Sequence, residues 1–149
     1  MILPITLTIA GVAALINIWL MIRVGRIRTA EKINVGDGGN ERLIRRMRAH
    51  SNYGESVAIV LILIAVIELA SIAMGDGAPL WLWLVGAVYM LGRVAHGIGM
   101  DGGTFAMGRT IGTIVTLLVM LGLGAYAISI PYMTLPDMPA APVTTAMAQ

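Results

Sequence analysis

Cysteine is absent from the 149 residues. That excludes a disulfide framework, a thiolate metal site and a cysteine nucleophile, so any thiol chemistry has to arrive on a ligand. Only two histidines are present, and no helical H-x-x-x-H pair occurs, which leaves no convincing metal site. Charged residues make up 12% of the chain and aromatic residues 5%. There is no P-loop, and the glycines at 97, 99, 102 and 103 lack the strand context that a dinucleotide fingerprint needs.

What fills the chain is apolar: 58% is hydrophobic and the mean hydropathy is +0.85. A soluble domain of this size has no use for so much apolar surface, so the composition reads as one integral membrane domain. The net charge is +2, but eight of the ten Lys and Arg lie between Arg23 and Arg48. In a soluble protein such a cluster would suit nucleic acid. Beside apolar spans it sets topology instead, and no nucleic-acid partner is expected.

Four spans follow in order. The first, Ile2 to Ile22, is long enough to cross about 30 Å of hydrocarbon. It lacks a positive n-region and reads as an uncleaved first span. Pro4 suits its first turn, and Asn17 is expected to make an interhelical hydrogen bond. A loop from Arg23 to Asn40 follows, with Asn40 placed to cap the next helix. Span two starts with ERLIRRMRAHSNYGE, Glu41 to Glu55, and continues to Met74. Glu68 falls near its far end and reads as structural. Span three runs from Leu80 to Gly99, with Trp81 and Trp83 at one interface. Span four runs from Phe105 to Ile130, and its glycines 108, 112, 122 and 124 leave room for close helix contact. The domain is thus residues 1–130, with an irregular proline-rich tail over 131–149. The basic first loop should be cytoplasmic, and the Asp101 turn shares its side.

This arrangement brings polar residues from three regions to one end. On a helix, Arg45, Arg48, Asn52 and Glu55 share a face. Arg93 and His96 close span three, and Arg109 lies one turn into span four. Ionic groups inside apolar helices should face protein or a water-filled cavity, since a centred charge costs roughly 2.5–3.5 kcal/mol. Several arginines with one carboxylate and one amide suit a small, multiply charged anion that also carries an ammonium. The competing reading is a set of interhelical salt bridges. One subunit offers too few polar partners to neutralise these charges, which favours a site shared between subunits.

RMRAHSNYGE opening span two, and GRVAHGIGM followed by Arg109, resemble the MAPEG family, membrane-associated proteins in eicosanoid and glutathione metabolism. The resemblance runs from span one through span four and is closest to the bacterial branch. It implies an all-α, four-helix membrane bundle assembled as a homotrimer, with glutathione held between subunits. On that resemblance Arg48, Asn52 and Glu55 match glutathione-holding positions. Arg45 adjoins them, and His50 stands where members carry histidine or glutamine. Arg93 and His96 match the end of span three, and Arg109 matches the arginine that stabilises the glutathione thiolate. Ser51 replaces a further arginine of some eicosanoid-forming members, and Met100 replaces a tyrosine of many members. Both point away from eicosanoid chemistry. The implied function is a glutathione-dependent transferase or peroxidase of the bacterial inner membrane. It would act on lipophilic electrophiles from the bilayer, with its site facing the cytoplasm. The alternative is a non-catalytic ligand-binding or scaffold protein that keeps the bundle.

Overall fold

The computed structural model describes residues 2–134. Four long helices fill it: α1 (Pro4–Glu31), α2 (Glu41–Ala73), α3 (Leu80–Gly99) and α4 (Met107–Thr134), with one 3-10 turn at Gly103–Phe105. All four are long and apolar enough to cross a membrane. No strand occurs among the described residues. The all-α four-helix membrane bundle that the resemblance implies is therefore the fold.

Helix starts follow local chemistry. Pro4 occupies the first turn of α1. Asn40 caps α2, its side-chain oxygen accepting from the Leu43 N–H at 3.0 Å. Pro79 precedes α3, whose observed span is the expected one. Two expectations shift. First, α1 does not stop at Ile22 but runs to Glu31, about 13 Å further at 1.5 Å per residue. Arginine is a good helix former, and the turn-forming glycines come only at Gly36, Gly38 and Gly39. The connecting loop is thus 32–40, and Arg23, Arg26 and Arg28 are helical. Second, α4 continues through Pro131 to Thr134, so the tail's first residues are helical; positions 135–149 lie outside the described residues.

The core is a column of Ile5, Ile9, Ala13, Ile16 and Leu20 from α1 against Tyr53, Val60, Ile64 and Ile67 from α2, with Leu82, Tyr89 and Met90 from α3. At the end where the chain begins, Glu68 is fully buried. Its carboxylate accepts from the N–H groups of Ile5 at 2.9 Å and Thr6 at 2.8 Å, and from the Thr6 hydroxyl at 2.7 Å. Those N–H groups have no partner within their own helix, and the dipole there favours an anion. Glu68 is structural, as expected, but its partner is a helix N-terminus.

Close contact between α3 and α4 sets the site. A Cβ added at Gly112 would run into the Gly92 carbonyl and lie 2.5 Å from His96 Cβ; at Gly108 it would lie 2.6 Å from the Ala95 carbonyl. Gly122 and Gly124, expected to serve the same purpose, have nothing within 4 Å of that position. Gly122 instead lines an apolar groove between α3 and α4 with Trp81 and Tyr126.

Candidate functional site at the arginine-rich end

The end opposite Glu68 is tied together by Asp101 in the α3–α4 turn. Its carboxylate accepts from Arg23 Nη2 at 2.6 Å, and from Arg46 Nε at 3.0 Å and Nη2 at 3.1 Å. Arg23 also donates to the Gly97 carbonyl at 2.7 Å and stacks on Trp19. Arg46 donates to the Arg23 carbonyl at 3.0 Å. The first loop and the Asp101 turn are thus at one end of the bundle. Burial pushes the Asp101 carboxyl upward, but the Arg46 and Arg23 hydrogen bonds outweigh it and hold the group below the usual range. None of these three residues was singled out from sequence as a contact. The available signal was Arg23 sitting directly after an apolar run, where a guanidinium needs a buried partner.

Further along the helices lies a hollow of about 280 Å³ lined by Asn52, Glu55, Ser56, Arg93, His96, Thr113, Thr116, Leu117 and Met120. Arg93 is only 3% exposed. Its Nη1 donates to Thr116 Oγ1 at 3.1 Å, and its Cζ lies 5.8 Å from the Tyr53 ring centroid. Thr116 spends its own proton on the Gly112 carbonyl at 2.7 Å, so its lone pairs are left for the arginine. Nε and Nη2 of Arg93 are buried with no hydrogen-bond partner.

His96 has its protonation pattern set by its neighbours. Nδ1 lies 3.1 Å from the Arg109 carbonyl, which can only accept, so Nδ1 carries the proton. Nε2 then accepts from Asn52 Nδ2 at 3.4 Å. The α3–α4 glycine contact allows that backbone approach.

The predicted site residues sort into groups. Asn52, Glu55, Arg93 and His96 share the hollow. Arg45 and Arg109 line a neighbouring one of about 250 Å³ with Gly99, Met100, Gly102 and Ala106. Arg45 is also paired with Glu41 at 3.1 Å. Arg48 is exposed and lines neither. His50 faces α1, its Nε2 2.9 Å from Asn17 Oδ1, which supplies the interhelical bond expected of Asn17. Sequence reading missed Ser56, Thr113 and Thr116. The two threonines lie four and seven residues past Arg109, on its face of an otherwise apolar helix. Tyr89 packs inside, bonded to Ser56 at 2.8 Å.

No group of three or more His, Cys, Asp or Glu that could hold a metal occurs among the described residues. What the hollow brings together is the Arg93 guanidinium, the Asn52 amide, the His96 imidazole and the Glu55 carboxylate. Comparison with curated proteins and with solved structures found no match. The model of the MAPEG family matches residues 6–129, which reaches into all four helices and includes every residue of the hollow, and the chain belongs to the MAPEG family.

Proposed function

We propose that the protein is a glutathione-dependent membrane transferase or peroxidase acting on lipophilic electrophiles, with its site on the cytoplasmic face and its subunits in a homotrimer. The observation that carries this reading is Arg93. A buried guanidinium with two unpartnered nitrogens is expensive to keep. It suits an anionic ligand in the adjoining hollow, where Arg93 would hold a carboxylate, Asn52 an amide and Glu55 an ammonium. Membership in the family supports glutathione as that ligand. Arg45, Arg48 and His50 point elsewhere within one chain, and a ligand held between subunits gives them a surface to meet.

Glutathione brings the sulfur nucleophile. Arg109 is the group we assign to stabilising its anion. A free thiol titrates near 8.5, and bringing that to about 6.5 takes roughly 2.7 kcal/mol. One guanidinium about 4 Å away at an effective dielectric near 20 supplies about 4 kcal/mol. One arginine is therefore enough.

A second reading, a binder without turnover, draws on one observation: Arg109 lines a different hollow from Arg93. Glutathione titration in detergent and a conjugation assay with an aryl halide separate the two. Arg109→Ala is expected to keep binding and lose conjugation. Unchanged turnover in that variant removes Arg109 from catalysis, wild-type binding without turnover favours the second reading, and neither binding nor turnover defeats both.

A further inference from the structure

The basic cluster between Arg23 and Arg48 is not uniform once its partners are known. Arg23 and Arg46 are committed to Asp101, and Arg45 to Glu41. Arg28 reaches the Ile33 carbonyl at 3.4 Å and the Met47 sulfur at 3.5 Å. Arg26 and Arg42 make no hydrogen bond or ion pair among the described residues, yet they come from two different helices to line one hollow. It measures about 300 Å³ and is completed by Ile27, Ala30, Glu31 and Arg46. Topology bias explains why cations lie on this side; it does not explain why two unpaired ones converge.

The unexpected length of α1 places this hollow. The helix is 28 residues long, about 42 Å, against roughly 30 Å of hydrocarbon, so its last turns emerge at headgroup level. Below Arg26, Ile22 and Ile18 follow at four-residue steps on the same face, 47% and 52% exposed. One face of α1 therefore presents an apolar track topped by a free guanidinium, with a second arginine arriving from α2. An anionic group attached to a long apolar chain matches both halves. A small soluble anion matches only the upper one.

We propose that the Arg26–Arg42 hollow is a binding site for the headgroup of an anionic phospholipid, whose acyl chain lies along Ile22 and Ile18. Glu31 at its rim disfavours a headgroup of high negative charge and suits a single phosphodiester. The site is separate from the Arg93 hollow and does not depend on the glutathione reading.

The test uses the full chain in phosphatidylcholine nanodiscs doped with phosphatidylglycerol, with retained lipid measured by native mass spectrometry. Wild type should retain phosphatidylglycerol preferentially. An arginine at an anionic surface is worth about fivefold, so Arg26→Gln with Arg42→Gln should reduce that preference roughly thirtyfold. Lys32→Gln removes a nearby charge outside the hollow and should leave the preference unchanged. An unaltered thermal midpoint in the double variant shows that the loss is not unfolding; if that variant does not fold, Arg26→Gln alone carries the test with a loss of about fivefold. Equal retention of the two lipids by wild type overturns the proposal. So does a loss in Lys32→Gln as large as in Arg26→Gln, which would mean diffuse surface charge. Displacement of the phosphatidylglycerol by millimolar inorganic phosphate would identify a free-anion site instead.

Discussion

Glu68 and Arg93 are buried charged side chains towards opposite ends of the bundle, and they are treated differently. Glu68 meets three donors, two of them backbone N–H groups at the start of α1. Arg93 meets one acceptor and leaves two nitrogens bare. The first is a finished joint that fastens α1 to α2. The second is unfinished: a threonine hydroxyl and a tyrosine ring hold it, and two of its three nitrogens have no partner. Burial alone does not separate these two charges; the count of satisfied partners does.

The sharpest way to break this contrast is to remove each charge and compare stability with binding. Glu68→Ala strips three hydrogen bonds and leaves the Ile5 and Thr6 N–H groups without their acceptor. We expect a loss of about 4 kcal/mol in denaturation from detergent, with ligand affinity retained in the folded fraction. Arg93→Leu should do the reverse. It relieves two unpaired buried donors, so stability should hold or rise, while glutathione affinity falls a hundredfold or more, about 2.7 kcal/mol. If Arg93→Leu unfolds the protein as badly as Glu68→Ala, Arg93 is a structural group and the distinction fails.

A third substitution sharpens the contrast by acting through backbone. Gly112→Ala forces a methyl against the Gly92 carbonyl and His96 Cβ. Overpacking of that kind costs about 2–3 kcal/mol. It should also pull the Arg109 carbonyl away from His96 Nδ1 and weaken ligand binding. Gly124→Ala, with nothing within 4 Å, should leave binding unchanged and raise stability by at most about 1 kcal/mol.

Much of this was legible beforehand, for physical reasons. Span three was bounded by Pro79 and the Asp101-Gly102-Gly103 turn, and both ends held. The depth of Arg93, His96 and Asn52 was legible because rise per residue is constant. What periodicity could not resolve was which hollow each residue enters. Arg45 and Asn52 share a helix face but lie about 10 Å apart along the axis, so they line different hollows. The end of α1 lies beyond the apolar run because arginine sustains a helix, and the helix-breaking glycines come only after Glu31. The Asp101 clamp joins residues 78 and 55 positions apart, a separation that no local pattern reports.

That clamp makes the smallest and most specific prediction. Asp101 is the basic end's counterpart to Glu68, but its side chain is 31% exposed, so solvent screens part of its value. Its pairing with Arg23 and Arg46 holds its carboxyl below the ordinary value of 3.8. For a group depressed in the folded state, the stabilisation is complete above the unfolded value and is lost as pH falls through the folded one. The thermal midpoint of the wild type should therefore show no Asp101-dependent change from neutral pH down to about 5, then decline below about 4. Asp101→Asn should sit about 1–2 kcal/mol lower at neutral pH and lack that component of the acid decline. An acid decline of equal size in Asp101→Asn would assign the sensitivity to another carboxylate, and the clamp would then contribute packing rather than charge.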